Sequence, residues 1–540
     1  MVKKTLFFVA VAAMVGVANS AVFELESLPG ECWWGAATTF GRMEPLGVQT
    51  NSLSHDLRVS NLENQAAPVF VSNKGRWIWC DGAFKFDFKN GKFKFESDSG
   101  KFDVGQGEPT LRGAFRAVAK KHFPPSGKCP DLDLIAKPQW NTWIELTYNQ
   151  NQKDILAYAK AIGENGFPTG GVIMIDDTWQ YGYGIWEFDP RRFSDPKAMC
   201  KQLHDMGLKI MLWVCPYVSM DSPGYREMAF GVKDAGVNCK KGGLLCINPG
   251  DPAPIKWWNG KSATIDFTHP LGAKWFARKL QWLIDEFDVD GFKLDAGDIE
   301  AYPPEMKAYA KGTVPADMCE AYAKIGLEFP LNEYRACWKM GGQPIVQRLC
   351  DKGHNWRAVQ QLIPDMITAG LLGHSFVCPD MIGGGSWKAF APDAPTPYDP
   401  ELFVRSAQVH ALCPMMQFSA APWRMLKGEN LDAVRAAAWT RQKFAGRFVE
   451  LAKECAKTGE PMLRNLEYSY PGHGWENVKD QFLMGDFLLV APQILKGARE
   501  RTVIIPPGTW KGDDGMVVVG PKTITVKTPI SRIPYFEKVK

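Results

Sequence analysis

The chain has 540 residues, 45% hydrophobic and 23% charged, enough for about three to four domains of roughly 150 residues. That composition excludes a disordered, collagen-like or polytopic membrane chain. Its 63 Lys and Arg against 59 Asp and Glu leave a formal charge of +4; no long basic run gathers that excess, so nucleic acid is not an expected partner. Aromatic residues reach 12%, with 20 Trp, and flat rings with a polar edge suit the faces of sugars as well as cores.

Residues 1–20 carry Lys3 and Lys4, an apolar run from Leu6 to Val17, and small residues including Ala18 and Ser20. This is the pattern of a secretory signal peptide, so export to the periplasm or the extracellular space is expected. The run is too short to span a bilayer comfortably, and no later segment offers about 18 uninterrupted apolar residues, so no membrane span is expected. The 13 Cys follow no repeating spacing and do not read as a disulfide scaffold, although Cys239 and Cys246 flank a Lys-Lys-Gly-Gly turn and could close a short loop. None of the eight His stands in a metal-ligand spacing, and no metal site is expected.

From Val22 to about Pro130, short alternating runs such as Pro68-Val-Phe-Val-Ser, Arg76-Trp-Ile-Trp-Cys and Lys92-Phe-Lys-Phe-Glu predict antiparallel strands in a sandwich. The Pro-rich stretch Phe123–Pro130 leads to a boundary near residue 133, giving an N-terminal β-sandwich over 21–133. Beyond it the rhythm becomes strand, helix, strand. Strands are expected at Asn141-Thr-Trp-Ile-Glu-Leu, Gly171-Val-Ile-Met-Ile, Lys209-Ile-Met-Leu-Trp-Val and Gly291-Phe-Lys-Leu. Four more are expected at Pro344-Ile-Val-Gln-Arg-Leu, His374-Ser-Phe-Val-Cys-Pro, Leu412-Cys-Pro-Met-Met-Gln-Phe and Pro461-Met-Leu-Arg-Asn-Leu. Helices intervene near 152–165, from Asp195-Pro196 to Gly207, and along Trp275 to Phe287. Eight such strands predict a (β/α)8 TIM barrel with insertions over 134–474. The tail, with short strands at Phe487, Thr502, Met516 and Thr523, predicts a small C-terminal β domain over 475–540.

Active sites of such barrels lie at the C-terminal strand ends. Those ends carry Asp176 and Asp177, Trp213, Asp295, Asp351 and Asp380. Several carboxylates converging without His ligands point to glycosidase chemistry, in which one acid protonates the leaving oxygen while another attacks carbon or activates water. A lone Asp after a strand is more often a helix N-cap, and Asp195 reads as one. Asp295 differs, because Lys293 two positions earlier on the same side of the strand would favour its charged form.

Four segments, in order and spacing, resemble glycoside hydrolase family 31. They are Thr264-Ile-Asp-Phe-Thr-His-Pro, Gly291-Phe-Lys-Leu-Asp-Ala-Gly-Asp, Asp351 with Trp356 and Ile363-Pro364 beyond, and Phe376-Val-Cys-Pro-Asp-Met-Ile-Gly-Gly. The likeness runs from Glu31-Cys-Trp-Trp-Gly-Ala to Gly485-Asp-Phe-Leu-Leu-Val-Ala-Pro. It implies exo-acting, retaining hydrolysis of α-glycosides, with Asp295 as nucleophile, Asp351 as general acid/base and no cofactor. It further implies substrate contacts from Asp176, Asp177, Trp179, Trp213, Lys293, Arg348, Trp356, Asp380, Gln417 and Trp423. Where the family's α-glucosidases carry an Arg and a His that grip glucose hydroxyls, this chain has Gln417 and Ser419, and Asp298 stands where Glu is more usual. These features are similar to a branch that includes bacterial α-galactosidases and the myogenesis-regulating glycosidase. An α-galactosidase acting on an oligosaccharide or other glycoside is therefore the expectation. Another α-glycosidase of the family, such as an α-glucosidase or α-xylosidase, is the alternative; a non-catalytic sugar-binding protein is disfavoured by the presence of both Asp295 and Asp351.

Overall fold

The computed structural model describes residues 21–539 apart from 48–49, 99, 231–242, 249–250, 392 and 395–396. The expected leader at 1–20 and Cys239 lie outside the described residues. No described helix is long and apolar enough to cross a membrane.

Two antiparallel sheets open the chain. One runs Ala21–Glu26, Lys92–Ser97, Lys85–Lys89, Ser52–Asp56, and the other Trp33–Ala37, Gln65–Ser72, Arg76–Cys80, Phe102–Gln106. Period-two alternation turns Phe86, Phe93 and Phe95 of the first sheet inward onto Phe70 of the second, at ring separations of 5.1, 4.9 and 5.9 Å, which is the expected sandwich core. The all-strand reading of this region is corrected at Leu111–His122, a 12-residue helix. Thr110 caps it by accepting from Gly113 N at 3.0 Å, and Leu111, Phe115 and Val118 share one buried face at helical spacing.

The barrel strands are β1 Gln139–Asn141, β2 Gly171–Ile175, β3 Leu208–Val214, β4 Gly291–Leu294, β5 Leu331–Tyr334, β6 Gln347–Arg348, β7 Val377–Cys378 and β8 Gln417–Phe418. They pair in parallel in chain order, and β8 returns to β1. Between β7 and β8 the join is a single bridge from Met381 to Gln417, with Ile382 N donating to Gln417 O at 2.9 Å. The helix at Pro196–Asp205 is capped by Asp195 as expected, with Ala198 N donating to Oδ1 at 2.9 Å.

Three strand expectations are corrected. The first strand stops at Asn141, whose Oδ1 accepts from Trp143 N at 2.8 Å; this side-chain turn breaks the ladder, and Trp143–Leu146 is one turn of helix. Leu331–Tyr334 was not expected as a strand, because Asn332 and Glu333 interrupt its apolar pattern; both are buried and hydrogen-bond to distant partners. Leu463–Arg464 pairs antiparallel with Phe482–Met484 and belongs to the C-terminal sheet, which hides its apolar neighbours in place of the barrel.

No described helix separates β5 from β6. Cys337–Trp338 instead joins Gln65–Ala66 of the N-terminal sheet in parallel register. That pairing holds the sandwich against this corner of the barrel, where Gln65 Nε2 donates to the carbonyls of Arg335 and Arg348 at 2.7 and 2.8 Å. The C-terminal sheet has six antiparallel strands, ending in the long hairpin Glu500–Gly512 and Val517–Lys527. The short strands expected at Thr502, Met516 and Thr523 merge into it, because a register shift between Ile505 and Gly508 carries the two prolines, which cannot donate to the ladder.

Candidate active site

The C-terminal ends of the barrel strands surround a cavity of about 310 Å3 lined by Trp143, Tyr148, Asp176, Asp177, Trp213, Trp258, Lys293, Asp295, Arg335, Arg348, Asp351 and Met381. This size is at the low end of ligand pockets, about 300–1,000 Å3. Asp295 follows β4 directly, its backbone N–H donating to Val214 O at 2.9 Å and so fixing it to the end of β3. Ala296 behind it takes a left-handed φ of 59°, which turns the chain sharply and leaves the carboxylate at the barrel mouth with 7% of its surface exposed.

Trp213 Nε1 donates to Asp295 Oδ2 at 2.8 Å and Ala296 N to Oδ1 at 3.0 Å. Arg348 Nη2 and Arg335 Nε stand 3.5 and 4.0 Å from Oδ1. Burial pushes this carboxyl up, but Arg348, Lys293, Arg335 and the Trp213 bond together outweigh it and bring the pKa to about 2. Lys293 acts on Asp295 only through its field. Its Nζ bonds Asp176 Oδ2 at 2.6 Å.

Asp351 contrasts with this. Its side chain is 47% exposed, and Arg348 Nη1 donates to its Oδ1 at 2.7 Å. What burial it has opposes the charge, and Arg348 with Arg335 behind it holds the carboxyl below the usual range. Arg348 also donates from Nη1 to Asp380 Oδ1 at 2.9 Å, so one guanidinium touches three carboxylates. Asp380 is fully buried and lifted to about 7 by burial despite Arg348. Asp177 is likewise lifted to about 7, by burial and then by Asp176 beside it. It accepts from Tyr183 Oη at 3.0 Å and Asn259 Nδ2 at 2.9 Å. Asp298 is lifted to about 6 by burial, against the pull of Arg335.

Of the expected site residues, Asp176, Asp177, Trp213, Lys293, Asp295, Arg348 and Asp351 line the cavity, and Asp380 touches it through Arg348. The others lie outside it. Trp179 is fully buried and donates to Trp213 O at 2.7 Å, supporting the end of β3. Trp356 donates to Asp399 Oδ2 at 3.0 Å, and Trp423 sits in a ring cluster with Trp140, Tyr158 and Phe167. Gln417 is fully buried in the barrel, donating to Glu333 Oε2 at 2.7 Å and Gln139 Oε1 at 3.1 Å. Ser419 accepts from Ile144 N at 2.9 Å. Both lie behind the cavity because β8 turns them toward β1 and β5.

Five lining residues went unread: Trp143, Tyr148, Trp258, Arg335 and Met381. Trp258 sits at the turn of the hairpin Pro254–Trp257 and Gly260–Thr264, which the Asn259-Gly260 pair signals in the sequence. It is 48% exposed, with the Arg335 guanidinium 5.1 Å from its ring. Arg335 follows the unrecognised β5 and also pairs with Glu63 of the N-terminal domain at 2.7 Å.

The comparisons agree with this geometry. Residues 137–336 match the glycosyl hydrolases family 31 TIM-barrel domain and residues 459–539 the family 31 C-terminal domain. The chain is 32% identical over 406 residues to the myogenesis-regulating glycosidase of Mus musculus, covering 74% of this chain and 55% of that protein. It is 26% identical over 420 residues to the alpha-xylosidase XylQ of Lactiplantibacillus pentosus, covering 72% and 51%. It thus spans about half the length of these curated relatives. A Flavobacterium johnsoniae family 31 dextranase complexed with glucose superposes with a TM-score of 0.81 over 97% of this chain and 67% of that one, at 21% identity, a likeness of fold. Both matched domains, and the barrel that places strand-end carboxylates around one cavity, lead to the same conclusion: the chain belongs to glycoside hydrolase family 31.

Proposed function

We propose that the protein is a retaining, exo-acting α-glycoside hydrolase whose preferred substrates are α-galactosides. The observation that carries the hydrolase reading is the unequal treatment of two carboxylates at one cavity: Asp295 is enclosed and held ionised, while Asp351 stands half-exposed at the rim. An ionised, enclosed carboxylate suits attack on an anomeric carbon, and an exposed one suits proton exchange with a leaving oxygen and then with water. Asp295 would form the bond to the anomeric carbon as the glycosidic bond breaks and the leaving oxygen takes its proton from Asp351. Water would then attack the glycosyl ester, giving its proton back to Asp351 and freeing Asp295. The Lys293–Asp176 pair, Asp177 and Trp213 supply fixed polar groups for the hydroxyls of one sugar. The small cavity volume supports action on a terminal residue.

The galactoside preference rests on the absence of a cation and an imidazole at 417 and 419. With both positions behind the wall, they connect to the lining through Met381, bridged to Gln417, and Trp143, beside the Ile144 that bonds Ser419. Relatives named as an alpha-xylosidase and an alpha-glucosidase favour a second reading in which another α-glycoside is preferred. The test is kcat/KM for matched aryl α-galactoside, α-glucoside and α-xyloside, with the released anomer followed by proton NMR. Galactoside first, with α-galactose released first, is expected; another sugar ranking first overturns the substrate, and β-anomer release overturns retention. We also propose export, to be tested by the N-terminal sequence of the mature protein.

A further inference from the structure

Beneath the cavity floor lies a carboxylate that the chemistry above does not use. Glu333 on β5 is fully buried, and its Oε2 accepts from Gln417 Nε2 at 2.7 Å. Its Oε1 stands 3.5 Å from Arg348 Nε, and neither of these two atoms makes a hydrogen bond among the described residues. The upper side of the same guanidinium holds Asp351 and Asp380 at 2.7 and 2.9 Å and approaches Asp295 at 3.5 Å. Arg348 is therefore suspended between three carboxylates above and one below.

This arrangement bears on a difficulty in the proposed chemistry. Asp351 must carry a proton to expel the leaving group, yet Arg348 favours its charged form. The other charged groups facing Asp351 are Arg335 and Lys293, which act in the same sense, and Asp295 and Asp380, which oppose them. The groups facing Glu333 are Arg348, Lys293, Asp176 and the Gln417 amide. Carboxyls outnumber cations in this cluster, so the positive charge left to each bears on which of them holds a proton.

We propose that Glu333 is a positioning residue that draws Arg348 from below and loosens its hold on Asp351, so that Asp351 can take up the proton an acid needs. Burial pushes the Glu333 carboxyl up, and Gln417, donating to the far oxygen, helps Arg348 and Lys293 favour its charged form. The unmade contact between Arg348 Nε and Glu333 Oε1 closes as Asp351 turns toward a glycosidic oxygen. This assigns Gln417 a place in the reaction from outside the cavity, three contacts away from Asp351.

For its kinetic test the inference rests on the hydrolase reading. Glu333→Gln keeps the shape and removes the charge. More of the Arg348 charge then falls on Asp351, and the alkaline limb of the kcat/KM profile, which reports the protonated acid, moves down by about one pH unit. Gln417→Leu removes a donor that favours the ionised Glu333 and moves the limb in the same direction. Glu333→Asp restores the charge and moves it back. A Glu333→Gln profile that keeps the wild-type limb, with activity merely scaled down, overturns the inference, as does an upward shift. Should Glu333→Gln fold poorly by circular dichroism, Gln417→Leu decides by the same criterion. An infrared titration of carboxyl-labelled Asp, with Asp351→Asn as the reference, reads the Asp351 shift without turnover. If the wild type hydrolyses no aryl α-glycoside, the hydrolase reading fails, and the infrared titration still upholds or overturns the role of Glu333.

Discussion

The ends of β4 and β6 both present an aspartate to Arg348, and they treat it in opposite ways. Beyond β4, the left-handed turn at Ala296, the Trp213 indole and two guanidinium groups enclose Asp295. Beyond β6, Asp351 has one close cation and open space. The difference comes from the neighbours each strand has. β4 lies between β3 and β5 and receives side chains from both, whereas β6 is two residues long and its aspartate stands three residues past it. Enclosure fixes charge and direction, as a nucleophile requires; exposure allows a proton to come and go, as an acid/base requires.

The most severe way to break this contrast is Asp295→Asn, which keeps the shape but removes the nucleophile. A loss of about four orders of magnitude or more in kcat is expected, with circular dichroism unchanged; near wild-type turnover would remove Asp295 from the mechanism. Asp351→Ala should cost about 10²–10⁴-fold with alkyl leaving groups and much less with activated phenols. Added azide should accelerate this variant and yield the α-glycosyl azide, whereas losses equal across leaving groups would show that Asp351 is not the acid.

Trp213→Phe sharpens the contrast from the enclosed side. It deletes the 2.8 Å donor to Asp295, so the ionised form loses support and the acidic limb of kcat/KM should rise, with about a tenfold loss of rate. An unmoved limb would assign the low pKa to the cations alone. Asp177→Asn is the mildest. Its pKa rises from the unfolded carboxylate value to about 7 in the fold, so the folded state holds the proton more tightly. Stability from this group is full below the unfolded value and is lost as pH climbs through about 7. The variant should flatten the fall of Tm across that range by a few degrees, which calorimetry at stepped pH checks; an unchanged slope would place the titrating group elsewhere.

Replacing Gln417 by Arg and Ser419 by His is not a simple exchange of sugar contacts. Both positions are fully buried, so the larger groups overfill the barrel, and lower stability is expected before any change of preference.

Strand-end aspartates were legible where they follow a recognisable strand pattern, as with the apolar Val172–Ile175 before Asp176 and Gly291-Phe-Lys-Leu before Asp295. Arg335 escaped notice because β5 carries Asn332 and Glu333 and did not look like a strand, which also displaced the strand count onto Leu463–Arg464. Gln417 was correctly placed at a barrel strand, but its direction depends on the turn of β8 toward Glu333, a partner 84 residues away. Trp179, Trp356 and Trp423, which the resemblance implies as substrate contacts, each pack or bond away from the cavity.

Local order in the chain was sufficient for seven of the eight barrel strands, the flanking sheets and the aspartates at strand ends, because hydrophobic periodicity and the position of a polar residue after it are properties of neighbouring residues. The folded structure alone decided how those groups are charged and which of them meet. The fields of Arg335 and Arg348, the reach of Glu63 and Gln65 from another domain, and the buried Glu333 beneath the floor all act across gaps that sequence spacing does not encode. Burial and charge at a few ångströms set a carboxyl's proton affinity, and those distances exist only once the strands have closed around one another.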